Sequence, residues 1–261
     1  MQPDLDQLLR LAVTAAEAAG DLLLDGLHRA RTDVTTKTSG TDMVSEMDRA
    51  AEATIAGIIR AERPDDAFLA EEGVAGLGSA DARVRWVVDP LDGTTNYLYA
   101  FPSWAVSVAA EVNGATVVGV VVDPTHDETF TAVVGRGASC NGGPLLLGPP
   151  PAPDRALVAT GFGYDAATRG RQGADLARVL PLVRDVRRAG AASLDLCWVA
   201  TGRLDAYYER GLQPWDWAAG TLVATEAGAV VSTLPDSTLV AAAPPLHDQL
   251  VELLRSIGVG A

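Results

Sequence analysis

Trp86-Val87-Val88-Asp89-Pro90-Leu91-Asp92-Gly93-Thr94-Thr95-Asn96 is the segment on which the reading of this chain turns. A buried-strand run ends in a carboxylate, and a second carboxylate follows three residues later, where ligand sites in α/β proteins usually sit. Pro90 fixes its own φ and holds Asp89 extended, so the strand is expected to stop there. Gly93 permits a sharp turn and a close backbone approach. Thr94 and Thr95 then offer hydroxyls and amides at a helix start, a natural anion cradle. Carboxylates and backbone carbonyls together are the hard oxygen donors that Mg²⁺ takes. The same residues also fit a plain strand-to-turn junction in which Asp89 or Asp92 is only a cap.

Three further acidic segments tilt the balance. Glu71-Glu72 follows a strand-like run directly, although adjacent acids are commonly a solvated turn. Asp42-Met43-Val44-Ser45-Glu46-Met47-Asp48 opens a helix, with Asp42 or Ser45 as a candidate N-cap. Pro214-Trp215-Asp216-Trp217 puts an acid in the first turn of another helix, where it complements the macrodipole. Two flanking tryptophans are an odd choice for an exposed cap, and a partly buried acid needs a partner such as a metal.

Outward from these acids, apolar spacing predicts a helix from Leu5 to about Arg29, a polar loop over Thr32 to Thr41, and a helix from Glu46 to Ile59. Short strands are expected at Ala67 to Ala70 and Arg85 to Val88. Trp104 to Val112 and Ala115 to Val122 flank Asn113-Gly114, a strong hairpin signal. The close-set turns favour an antiparallel sheet. Gly148 to Pro153 is the clearest break, and it divides an N-terminal α+β half, 1–147, from a C-terminal α/β half, 154–261. In the second half, strands are expected near Ala156 to Thr160 and Leu204 to Glu209. Helices are expected near Gly173 to Leu182, Ser193 to Thr201, Trp215 to Glu226 and Leu246 to Ile257.

Composition excludes several function classes. Lys and Arg number 20 against 34 Asp and Glu, a net charge of −14, the reverse of a nucleic-acid footprint. Lys37 is the only lysine and sits in no Walker loop; GxGxxG and GxSxG are absent. The three histidines (His28, His126, His247) are scattered, so the general base is expected to be a carboxylate or a metal-bound water. Cys140 and Cys197 read as small buried hydrophobes. With no apolar membrane span and no leader pattern, the expected address is the cytoplasm.

Taken together, Asp42-Met43-Val44-Ser45-x-x-Asp48, Glu71-Glu72, Trp86 through Tyr97, and Trp215-Asp216-Trp217-Ala218-Ala219-Gly220 running on to Glu226-Ala227-Gly228 resemble the inositol monophosphatase family. This is part of the fructose-bisphosphatase-like, lithium-sensitive phosphatase superfamily. The resemblance implies layers alternating α-β-α-β-α, a homodimer, and two or three Mg²⁺ ions held by Glu71, Asp89, Asp92, Asp216 and the Leu91 carbonyl. It further implies that Gly93 and Thr94 present amides to phosphate, and that Asp48 hydrogen-bonds Thr94. Glu71 and Thr94 would take the proton of a metal-activated water, and Glu209, Ala192 and Asp216 would meet the polyol. Ala191 stands where relatives often carry Ser or Thr, which removes one hydroxyl near the site. Lys37 lies where relatives place an edge lysine.

The expected reaction is hydrolysis of inositol 1-phosphate or a similar polyol phosphate. Histidinol phosphate, fructose 1,6-bisphosphate and a 3′-phosphonucleotide are the alternatives within the superfamily. A regulatory binding partner that keeps the fold is the alternative outside catalysis.

Overall fold

The computed structural model describes residues 3–32, 40–73, 78 and 82–260. Lys37 and most of the expected 32–41 loop lie outside the described residues. Helices α1 (Leu5–Thr32) and α2 (Gly40–Glu62) come first, then β1 (Ala67–Ala70), β2 (Val84–Asp92) and the single-turn helix α3 (Thr94–Leu98). A meander follows: β3 (Ala105–Val112), β4 (Ala115–Asp123), β5 (Glu128–Val133), β6 (Gly137–Cys140) and β7 (Gly143–Leu145). These seven strands form one sheet in sequence order. Only the β1–β2 pair is parallel. Asn113 and Gly114 both take positive φ, 53° and 81°, as a tight hairpin requires.

Beyond the proline-rich stretch lie β8 (Leu157–Thr160), α4 (Ala166–Val179), β9 (Asp185–Arg187), α5 (Ala192–Ala200), β10 (Ala206–Arg210) and α6 (Pro214–Glu226). The chain closes with β11 (Val230–Thr233), β12 (Thr238–Ala242) and α7 (Leu246–Ser256). The second sheet has the order β11-β12-β10-β8-β9.

Alternation along the strands builds the layers. Trp86 and Val88 of β2 pack with α1 and α2, whereas Val87 faces α5 and α6. In the second sheet, Tyr207 and Ala241 face α5 and α6, whereas Tyr208, Val240 and Ala242 pack against α7. Helix α5 is buried almost all round, as a helix between two sheets must be. The result is a layered α-β-α-β-α sandwich, as the resemblance implied. Among the described residues no helix is long and apolar enough to cross a membrane.

Two boundaries differ from expectation in ways that shape the site. Helix α2 starts at Gly40, so Asp42 and Ser45 lie inside it and neither is an N-cap. Strand β2 does not stop at Asp89 but continues through Pro90 to Asp92. Opposite it, Ser107 pairs with Asp89 and Ala105 with Asp92, so β2 carries one extra residue. A proline, which has no N–H to give the ladder, is tolerated at such a bulge. The bulge also solves a problem of facing: residues three apart in a regular strand point to opposite sides, yet Asp89 and Asp92 line one cavity.

Candidate active site

The bulge of β2 leads directly into a turn that only glycine makes cheaply. Gly93 has φ +90° and caps α3; a Cβ there would lie 2.8 Å from the Ser103 carbonyl oxygen. Helix α3 is anchored from beneath. The Tyr97 hydroxyl donates to the Leu23 carbonyl of α1 at 2.7 Å, and its ring meets Trp104 edge-on with centroids 5.1 Å apart. Asn96, buried, donates through Nδ2 to the carbonyls of Ser103 (2.6 Å) and Ala189 (2.8 Å). The motif's asparagine therefore joins the first half of the chain to the second.

Above this turn opens a cavity of about 290 Å³. Glu71, Asp89, Leu91, Asp92, Gly93, Thr94, Ala192, Glu209 and Asp216 all line it, drawn from elements as far apart as the end of β1 and the start of α6. Asp48 is the exception among the expected residues. It is buried on α2, and its charge is felt by Asp89. The expected Asp48–Thr94 bond does not form: the Thr94 hydroxyl donates to the Leu91 carbonyl at 3.1 Å, and Asp48 Oδ1 has no partner among the described residues. The β2 bulge brings the Leu91 carbonyl within reach of that hydroxyl.

Each carboxylate is held by a different part of the fold. Asp89 Oδ1 accepts from the Leu91 N–H at 3.0 Å. Asp92 Oδ2 accepts from both the Ser193 N–H (2.8 Å) and the Ser193 hydroxyl (2.5 Å). Asp92 therefore serves as the side-chain cap of α5, whose own N-cap residue, Ala191, supplies none. Asp216 Oδ2 accepts from the Gln213 N–H at 2.6 Å, completing a capping box at α6. The modest capping role and the site role coexist in Asp216, because the start of α6 is itself part of the cavity wall. Glu209 ends β10 in the wall, accepts from the Tyr207 hydroxyl at 2.8 Å and lies against Gly161, where a Cβ would collide with it.

Burial and mutual repulsion push these acids upward. Asp89 stands well above the usual carboxylate range, because it is buried and then because Glu71, Asp92, Asp216 and Asp48 surround it. Burial and the charges of Glu72, Glu71 and Glu52 push Asp48 up to about 8. Burial takes Asp92 to about 7 against the pull of the Ser193 hydroxyl, and Glu209 to about 7 against the Tyr207 bond. Glu71 and Asp216 are raised too, burial leading in each. Asp89 feels the charge of Glu71 most strongly among its acidic neighbours.

Among the described residues no three acid, histidine or cysteine side chains close on one point as a finished metal cage. The donors ring the cavity instead, all of them hard oxygens, with the Leu91 carbonyl among them. That donor chemistry and the crowding of negative charge fit divalent cations such as Mg²⁺.

Sequence reasoning had passed over Ser193, Gln213, Tyr207, Phe162, Tyr164 and Arg188, which brace or line the site. Of these only Gln213 carried a local signal, the Gln-x-x-Asp spacing of a capping box.

Residues 4–257 match the model of the inositol monophosphatase family. Inositol-1-monophosphatase SuhB of Mycobacterium tuberculosis is 44% identical over 269 residues, covering 94% of this chain and 87% of that protein. The Nus factor SuhB of Vibrio cholerae is 37% identical over 262 residues, covering 97% and 98%. The solved structure of Mycobacterium tuberculosis SuhB superposes with a TM-score of 0.87 at 38% identity, with 100% of both chains covered.

Proposed function

The chain belongs to the inositol monophosphatase family, and from that premise we propose that it is a phosphomonoesterase that hydrolyses inositol 1-phosphate or a similar polyol phosphate with the help of Mg²⁺. The observation that carries the reading is the ring of carboxylates, Glu71, Asp89, Asp92 and Asp216, around one cavity with Gly93 and Thr94 at its edge. Buried acids that raise one another's pKa want a cation. Glu71, Asp89, Asp92, Asp216 and the Leu91 carbonyl are the groups that would hold it. Two or three Mg²⁺ ions would neutralise the phosphate, acidify water and clamp an in-line displacement.

The chain's own groups divide the remaining work. Gly93 and Thr94 offer backbone amides to the phosphate oxygens at the start of α3. With its proton on the Leu91 carbonyl, the Thr94 hydroxyl oxygen is left to accept from an attacking water. Glu71 takes that proton, its affinity for it raised by burial and by its acidic neighbours. Asp48, pushed up to about 8, holds its proton more tightly than an exposed carboxylate. Glu209 accepts from polyol hydroxyls beside Ala192 and Asp216. The reading takes residues 1–147 and 154–261 as two halves of one catalytic unit, since both supply the cavity wall. It also takes in pairing with a second copy, and a cytoplasmic address, supported by two free cysteines.

A second reading has support of its own: several relatives are named Nus factor SuhB, so a regulatory binding role alongside catalysis enters the test. Phosphate release by purified protein is measured with Mg²⁺, with and without chelator, on inositol 1-phosphate, histidinol phosphate, fructose 1,6-bisphosphate and adenosine 3′,5′-bisphosphate. Chelator-sensitive turnover is the expected result. Folded protein that is silent across the panel overturns the enzymatic reading in favour of the binding role.

A further inference from the structure

The two acids that follow β1 are held by different parts of the fold. The Glu71 N–H extends the β1–β2 ladder, donating to the Val88 carbonyl at 3.2 Å. One residue on, the Glu72 N–H leaves the sheet and donates to Oε2 of Glu52, on α2, at 2.8 Å. The same turn of α2 also holds the Glu72 side chain, through an ion pair with Arg49 at 3.4 Å. Glu72 is thus tied to α2 by backbone and carboxylate together, while Glu71 lines the cavity.

Glu52 is a costly residue for a turn that needs only an acceptor. Its side chain is buried, the residue being 1% exposed, and its charge adds to those already pressing on Asp48 and Glu71. Burying an acid among acids is unfavourable, and a neutral amide would satisfy one N–H. Its base is rigid: Ala51, Ile55 and Ile59 of α2 are fully buried in the core against the first sheet. Glu71, by contrast, is exposed at the edge of the cavity. A shift of Glu72 away from α2 would therefore carry the Glu71 carboxylate with it. A bond from N–H to a carboxylate is charge-assisted and roughly twice as strong as a neutral one, which suits a link that holds Glu71 against the repulsion of its neighbours.

We infer that Glu52 is a positioning residue for Glu71: its grip on the Glu72 N–H sets how far the Glu71 carboxylate reaches into the cavity, and so how tightly the site takes a divalent cation. The inference rests on the metal-dependent reading above. It adds to that site a residue that touches neither cation nor ester and acts through the backbone of the residue next to a proposed ligand.

The test measures Mg²⁺ binding by calorimetry without substrate, and then kcat and KM for inositol 1-phosphate at saturating Mg²⁺, in wild type, E52Q, E52D and E52A. E52Q keeps an acceptor oxygen at the same reach and drops the charge; E52D keeps the charge and draws the acceptor back by one methylene. E52D and E52A are expected to weaken Mg²⁺ binding about tenfold, E52Q by no more than about threefold, with KM within about twofold of wild type throughout. If E52A fails to fold, the comparison of E52Q with E52D decides. Mg²⁺ binding in E52D equal to wild type, or E52Q weakened as much as E52D, overturns the inference and leaves the phosphatase reading standing. Variants that lose melting temperature alone, with Mg²⁺ binding unchanged, overturn it in the same way. Wild type that binds no Mg²⁺ overturns the inference and the metal-dependent reading together.

Discussion

Replacing Glu209 by Gln should stabilise the protein and impair it in one step. The carboxyl titrates near 4.5 in an unfolded chain and is pushed up to about 7 in the fold, chiefly by burial. Below the lower value both states are protonated and the side chain has no net effect. Between them the unfolded state ionises first, and the cost of keeping Glu209 folded grows with pH. Above about 7 the cost is constant, on the order of 3 kcal/mol. Gln removes that cost and still accepts from the Tyr207 hydroxyl through Oε1. Urea unfolding of wild type and E209Q in chelator, at pH 5 and pH 8.5, isolates the effect. The variant should be close to wild type at pH 5 and more stable by about 3 kcal/mol at pH 8.5. At the same time the loss of a charged acceptor should raise KM for the polyol ester about tenfold. A stability gain independent of pH, or a variant less stable than wild type at pH 8.5, would refute the reasoning.

The remaining predictions concern the acids and the turn between them. Asp89→Asn should abolish turnover while circular dichroism and melting stay those of a folded protein; a near-wild-type rate would sink the metal assignment. Ser193→Ala removes the 2.5 Å hydroxyl bond to Asp92 and should weaken divalent binding by about tenfold in calorimetry, with Ser193→Thr closer to wild type. Gly93→Ala forces a Cβ to within 2.8 Å of the Ser103 carbonyl at φ +90°. It should cost about 1–3 kcal/mol of stability in urea unfolding, together with most of the activity. In chelator the wild-type protein should lose stability as pH rises from 5 to 8, because Asp48 and Asp92 ionise near 8 and 7 in the fold. Saturating Mg²⁺ should flatten that slope, and an unchanged slope would argue against cation binding among these acids.

How much of this was legible in the chain depends on the range of the interaction. The buried strand over Arg85 to Val88 and the Asn113-Gly114 hairpin are decided within a few residues, and both were readable. Pro90 was misread as a stop because strand pairing is a property of two strands. Only Ser107 and Ala105 opposite reveal that β2 runs on through a bulge. The acids were legible as a set through resemblance. Their anchors were not, because the partners of Asp92 and Asn96 lie 101 and 93 residues away. The start of α2 was placed late because Gly40 and Thr41 read as loop residues on propensity alone, and tertiary packing extends helices past such signals. Arg188 gave no sign of facing a cavity, since its neighbour in sequence is an ion-paired surface arginine.

The bond between Asp92 and Ser193 carries a consequence for synthesis. A ribosome delivers Glu71, Asp89 and Asp92 about a hundred residues before the helix that one of them must cap. Until residue 193 emerges, Asp92 lacks the Ser193 groups that hold it, so on the proposed reading neither metal retention nor turnover precedes docking of the second sheet. Fragments cut in the Gly148–Pro153 stretch should therefore be inert apart and regain function only on reassociation. Any divalent ion bound across the seam would then act as a clasp between two pieces that neither disulfide nor sheet pairing joins.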